Sequence, residues 1–556
     1  MTRTRPHVVD MIDAGIHGQP SPVTSRPEAG GDEEDAGGSA EISSAEGGRI
    51  ADLLRSFHDR QMGMTQPLPG GAGEILYGVG GDKYDDLPED RHAGTSRRVT
   101  AKIDVDNVST RTSTPLALAL RWAAGGACRL DLRGSPTALL VGTNALAAGL
   151  DPRSPDEERI FLLRYPFLLL ESVLRRLDRN FAWEPRTAQR LEEGEIALHA
   201  VRLALYLPLG SREDMRRLLD WLYVAYCTPI LDQHGRVFHL GSYLRLRADP
   251  VLGGDARPRG VAFRRYEDAA RHPLVTVNFH DRKQTLTDAE RKLLGADPAA
   301  EAWLDSHLRV DITLHRPMLQ RLANAAGCET DTAAGFCRAV HAMDKRAEEA
   351  GELGFRAWLV KETLERYLHL PAILRFDAEA VGAARQKLRN RPHLMAVWDE
   401  WEGARRPSPE TGAAPDAEAA RSPYPSLRQL LKARIEGAAG GDKRASAVVR
   451  DNLRAVREAG LDPDIPPPFY HRLAMTSSLW GFDDEDAARY CRAVADRDWR
   501  TLERLLEKNR RFVATSRARF RELAERVLEP ADVPALPCGG EGGKRVRGQS
   551  AGSRSR

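Results

Sequence analysis

The sequence predicts an α+β fold: a mainly antiparallel central sheet with flanking helices, followed by a helical C-terminal region. Three observations predict it. Residues 196–207 and 308–314 alternate apolar and polar side chains, as half-buried strands do. Helical stretches fall between such runs without a regular strand–helix–strand rhythm, which argues against a parallel sheet. Helical patterns take over after Arg316.

Each element follows from its residues. Residues 1–95 are rich in Gly, Pro, Ser, Asp and Glu and are expected to be disordered, because such composition buries too little apolar surface to offset chain entropy. An amphipathic patch at 50–57 could form a transient helix there. Residues 97–330 form the expected α+β domain, with strands at 101–108 and 127–133. Residues 155–178 carry Ile160, Leu163, Phe167, Leu170, Val173, Leu174 and Leu177 at helical spacing. In 196–207, His199, Val201, Leu203, Leu205 and Leu207 share one strand face. Ser211 is placed to cap a helix through Met215, Leu218, Leu219 and Leu222. A hairpin is expected over 235–246, then strands at 274–279 and 308–314.

Residues 331–403 read as a helical extension and 404–425 as a Pro/Ala-rich linker. Residues 426–530 read as a second helical region, and 531–556 as a disordered basic tail able to add nonspecific DNA affinity. Within the second region, 445–460 turns Val448, Val449, Leu453 and Val456 inward and Arg444, Arg450, Arg454 and Arg457 outward. That pattern fits a recognition helix or an arginine-laced surface helix. Residues 499–527, with Arg510, Arg511, Arg517, Arg519 and Arg521, allow the same two readings.

Bulk properties narrow the function. Hydrophobic residues are 42% and charged residues 29% of the chain, which permits a sizeable core. Net charge is only +2, so no global field draws in nucleic acid and any basic face must be local. The six cysteines are scattered, without zinc spacing or a disulfide framework, as expected for free thiols in a reducing compartment. No apolar run approaches the roughly 20 residues of a membrane span, and no signal core opens the chain. These features lead to the expectation of a cytoplasmic protein without a membrane partner.

One stretch carries more information. It reads Leu130-Asp131-Leu132-Arg133-Gly134-Ser135-Pro136-Thr137-Ala138 and ends at Gly142-Thr143-Asn144. Further on come Val201-Arg202-Leu203, then Val277-Asn278-Phe279-His280-Asp281-Arg282-Lys283-Gln284-Thr285-Leu286, then Leu308-Arg309-Val310-Asp311. In this order they resemble the replication initiators of filamentous phages and related plasmids, the gene II/gene X type, over roughly residues 100–330. In that family a strand leads into Ser-Pro-Ala-Lys and Gln-Gly-His-Asn. A second strand carries Arg-Ile-Asp, a third leads into Tyr-x-Lys-x-x-Glu-Leu, and a fourth reads Leu-Arg-Phe-Glu.

The resemblance implies an origin-binding initiator of rolling-circle replication, a site-specific DNA nickase and strand-transferase working with Mg2+ or Mn2+. Its partners would be origin DNA and host replication proteins. Here Ala138 stands at the family's Lys, Thr143 at the His, Leu203 at the Asp, His280 at the Tyr, Arg282 at the Lys and Thr285 at the Glu. Phosphoryl transfer of this kind needs a nucleophilic oxygen, a divalent metal and a cation on the phosphate. With those ligands replaced, activity is either lost or rebuilt, and Tyr266 or His280 would then be the catalytic group. The alternative is a noncatalytic DNA-binding or replication-partner protein descended from such initiators. Arg282, Lys283 and Arg309 are the candidate phosphate contacts in one groove, and Arg245 and Arg247 would extend that patch.

Overall fold

The structure, a computed structural model, describes residues 12–13, 37–60, most of 64–143, most of 155–403, most of 426–463 and most of 483–508. Its strands are β1 (Ile12–Asp13), β2 (Gly37–Ser43), β3 (Met64–Pro67), β4 (Glu74–Gly78), β5 (Arg98–Asn107), β6 (Thr112–Trp122) and β7 (Ala127–Arg133). They continue as β8 (Ala197–Pro208), β9 (Pro229–Leu231), β10 (Val237–His239), β11 (Leu246–Leu252), β12 (Pro258–Tyr266), β13 (Pro273–His280) and β14 (His307–His315). Twelve of them form one sheet in the order β11-β12-β13-β14-β8-β2-β7-β6-β5-β4-β3, with β1 also on β8. Every pairing is antiparallel. The α+β class is therefore as the sequence predicts, and all five expected strands lie in this sheet.

Register divides the sheet into two unlike faces, because residues directly opposite one another point the same way. On one face Leu207, Leu205, Leu203 and Val201 meet Leu308, Val310, Ile312 and Leu314. Val275, Val277 and Phe279 continue this face, then Val261 and Phe263. Across β2, Ala40 and Ile42 lead to Leu130 and Cys128, and Leu130 to Leu120. These side chains are all buried. Each contributes about 1.5–3 kcal/mol when a large aliphatic or aromatic side chain leaves water.

Helices α1 (Ser44–Arg60), α2 (Pro136–Val141), α3 (Pro155–Leu177), α4 (Pro185–Glu192) and α5 (Arg212–Cys227) follow in chain order. The expected cap is present: Ser211 Oγ accepts from the Asp214 amide at 3.1 Å at the start of α5. Helices Arg316–Ala326, Ala333–Ala350 and Phe355–Val360 come next, and one apolar cluster runs from Ala40 to Leu505. The helical extension and the C-terminal helices thus share the core of the α+β domain. Cys128, Cys227, Cys328 and Cys337 are free thiols.

Two expectations are corrected. Residues 37–60 are not a disordered leader: β2 is inserted between β7 and β8, and Ile50, Ala51 and Leu54 of α1 are buried. The glycines that read as flexibility serve close packing. A Cβ on Gly38 would lie 2.7 Å from Ile196, and one on Gly47 would lie 2.4 Å from Cys128 Sγ. The hairpin over 235–246 also differs: β10 pairs back with β9, and β11 pairs forward with β12. Of the helix expected at 499–527, Trp499–Lys508 is helical and 509–527 lie outside the described residues. The linker 404–425, the tail 531–556 and the arginines from 510 onward lie outside the described residues. In helix Lys443–Glu458, Val449, Leu453 and Val456 are buried as expected, while Val448 is only partly buried.

Candidate nucleic-acid interface

The second face of the sheet is polar, and strand register lays its residues out in rows. His280 stands opposite Arg309, and Arg309 opposite Tyr206. The next row holds Asp249, Ala262, Asn278, Asp311 and Ala204. A third holds Arg247, Arg264, Thr276, Thr313 and Arg202.

The first row is closed off as a buried ion-pair cluster. His280 Nε2 donates to Asp311 Oδ2 at 3.0 Å, and Arg309 Nε donates to Asp311 Oδ1 at 2.7 Å. Arg309 is 1% exposed. The Tyr206 hydroxyl is hydrogen-bonded to the Arg309 side chain. Its ring lies edge-on to Trp303 with centroids 4.5 Å apart. Burial pushes the Tyr206 hydroxyl up to about 12. Burial also pushes His280 below its ordinary value, outweighing the pull of Asp311. For Asp311 burial works upward, but Arg309, His280 and Arg202 together outweigh it and hold the carboxyl well below the usual range.

A second cluster adjoins the first. Asp281 caps helix Arg282–Thr285, accepting from the Gln284 amide at 3.3 Å. Arg282 Nη2 donates to Glu290 Oε1 at 2.7 Å, and its Nη1 to Thr285 Oγ1 at 3.1 Å. Thr143 Oγ1 donates to the same Glu290 oxygen at 2.7 Å. Glu290 Oε2 accepts from the Thr287 amide at 3.0 Å, while Thr287 Oγ1 accepts from the Glu290 amide at 3.2 Å, a reciprocal capping box. Burial raises the Glu290 carboxyl, but Arg282 and the Thr287 and Thr143 hydrogen bonds hold it below its ordinary value.

The sequence-predicted residues separate in space. His280, Arg282 and Arg309 come together with Thr143 and Thr285. Arg282 and Arg309 are buried in ion pairs, so they do not line an open phosphate groove. Their charges are matched by carboxylates because a buried guanidinium without a partner would cost several kcal/mol. Lys283 is partly exposed and bound to Glu301 and Asp305 at 2.9 and 2.7 Å. Tyr266 is remote: β12 places Gly260 opposite His280, and Tyr266 lies about 20 Å further along the strand. Arg247 is exposed on the edge strand β11 beside Asp249 at 3.2 Å. Arg245 lies outside the described residues.

These residues do not fit a divalent metal. Leu203, at the expected acidic position, points into the apolar core with no exposure. Asp311 and Glu290 are each matched by an arginine, and His280 donates to Asp311 through one ring nitrogen. Among the described residues no group of three or more His, Cys, Asp or Glu could hold a metal ion.

Beyond the first row, the polar face carries arginines at partly exposed positions. Arg264 and Arg247 have side-chain exposures of 37% and 66%, and Arg202 is half-buried. Across β2, Arg129 and Arg121 flank Asp131 at 2.6 and 3.1 Å. Arg133 lies on the same side, by its register with Ala117. Six arginines (121, 129, 133, 202, 247 and 264) thus share this side with the carboxylates Glu41, Asp131, Asp249 and the buried Asp311. Of these six, sequence reading singled out Arg247 alone as a contact, and it also missed Glu290 and Tyr206. The Thr287-x-x-Glu290 capping box was legible as a helix start, but its reach to Arg282 was not.

No family model matches the chain, and no curated protein matches it. A solved structure that does match is DynU16, a protein of the dynemicin biosynthetic locus. It is 15% identical, and the match covers 56% of this chain and 99% of that one, with a TM-score of 0.14. A likeness that weak carries no argument about fold or function.

Proposed function

We propose that the chain is a DNA-binding protein of the rolling-circle initiator kind that no longer cuts DNA. One observation carries this reading. Positions 143, 280, 282, 285 and 309, matched to the initiator motifs from separate segments, converge on two adjoining clusters of side chains. Chance resemblances spread along a chain have no reason to meet.

What fills those positions supports loss of cleavage. The nearest tyrosine, Tyr206, is 4% exposed and its hydroxyl is pushed up to about 12, so it stays protonated and out of reach. Each carboxylate that a metal would need is already neutralised by an arginine. Binding does not need those groups: the six arginines of the open polar face offer contacts to DNA phosphates. Origin DNA is the partner this reading implies, with host replication proteins joining there, in the cytoplasm. Among the described residues no helix is long and apolar enough to cross a membrane.

The test combines binding and cleavage. The full chain is titrated into labelled DNA at several salt concentrations, and incubated with supercoiled plasmid carrying the native origin plus Mg2+ or Mn2+. Salt-sensitive binding without nicked circles is expected. Nicked circles with protein covalently attached would overturn the noncatalytic reading, and absence of any binding would overturn the DNA reading.

A further inference from the structure

A cavity of about 420 Å³ opens beside the motif segment, outside the clusters described above. Four cations line it: Arg212, Arg259, Lys283 and Arg291, against one carboxylate, Glu301. Its remaining wall includes Leu286, Leu294 and Leu304, with the Gln284 amide beside them. Leu286, Leu294 and Leu304 belong to a small hydrophobic cluster of their own, so the apolar wall is fixed by packing.

The cations are held in different ways. Arg212 is positioned from behind by Asp305 at 3.5 Å and by the fully buried Asp281 at 3.8 Å. Arg291 holds only Asp288, which is 90% exposed. Lys283 holds Asp305 and the half-exposed Glu301, which a stronger anion can displace. Arg259 is exposed and has no ion-pair partner among the described residues. A concave site with converging cations, one apolar wall and an amide matches a small, planar, phosphorylated ligand.

We propose that this cavity binds a nucleoside phosphate monoester, with the phosphate on Arg259, Lys283 and Arg212 and the base against Leu286, Leu294 and Gln284. Two sources share that chemistry: a free nucleotide, and the 5′-phosphorylated end of a DNA strand. The proposal rests on the DNA-binding reading for the second source only.

The experiment uses the full chain with three probes: a deoxynucleoside monophosphate, a 5′-phosphorylated oligonucleotide and the same oligonucleotide with a 5′-hydroxyl. The protein is compared with Arg259→Ala, whose exposed side chain can be truncated without disturbing the fold. If the end is the ligand, the 5′-phosphate tightens binding by about tenfold, as one added charge-assisted contact does. Arg259→Ala then brings the two oligonucleotides to near equality. If a free nucleotide is the ligand, the monophosphate binds and Arg259→Ala weakens it similarly, with no difference between the oligonucleotides. Equal affinity for both ends with no binding of the monophosphate overturns the proposal. So does a phosphate preference that survives Arg259→Ala. Monophosphate binding without any oligonucleotide binding would leave this site standing and remove the DNA reading.

Discussion

The Thr143 hydroxyl donates to Glu290 Oε1 at 2.7 Å, across 147 residues of chain. The same oxygen accepts from Arg282, so Thr143 closes a buried network around an ion pair. Removing the hydroxyl leaves Glu290 short of one donor in a site where water cannot replace it. Thr143→Val should therefore cost about 1–3 kcal/mol, read as a lower urea midpoint. DNA affinity should not change, because the network lies outside the open polar face. An unchanged midpoint would show that this contact carries no stability.

Among the described residues, Arg309 and Asp311 are the most enclosed ion pair of the sheet, at 2.7 Å with 1% and 6% side-chain exposure. Arg309→Met should destabilise by about 3–5 kcal/mol, because it strands a buried carboxylate. Adding Asp311→Asn should recover a substantial part of that loss, since the stranded charge is gone. Chemical denaturation of the two single variants and the double variant measures the coupling. Additive losses would mean that the pair is not coupled.

Stability should fall on mild acidification. His280 is neutral in the fold because burial lowers its pKa more than Asp311 raises it. Once unfolded, the imidazole takes up a proton near its ordinary value of about 6.5. Below that pH the unfolded state binds more protons, so stability is lost from about pH 6.5 downward toward the folded value. Asp311 acts in the same direction at lower pH. Its pKa is held well below the usual range, so its contribution is present above about 4 and is lost as pH falls through the folded value. The check is the urea midpoint of the wild type and His280→Gln between pH 7 and 5. The variant should show the shallower decline; equal slopes would contradict the assignment.

The fold was more legible in the sequence than the site. Alternation identified β5, β7, β8, β13 and β14, because each buries one face against helices. β2 escaped because Gly37, Gly38 and Ser39 carry no hydrophobic signal; their smallness is what lets them fit between β7 and β8. At the site, Arg282 and Arg309 were recognisable as basic positions. That they would be buried depended on Glu290 and Asp311 lying within reach, a tertiary fact that spacing does not reveal. Tyr266 drew notice for its neighbouring charges in the chain, yet strand register carries it to the far end of β12.

The row of Arg264 and Arg202 is the part of the polar face on which the account most depends. Three strand steps separate them, about 14 Å, which suits two non-adjacent phosphates of a strand laid across the sheet. The most direct measurement is the salt dependence of DNA binding by the wild type and by the double variant Arg202→Ala, Arg264→Ala. The double variant should bind more weakly on every sequence tested, with a salt slope shallower by about two phosphate contacts. An affinity and slope unchanged from the wild type would contradict a DNA-binding role for this face.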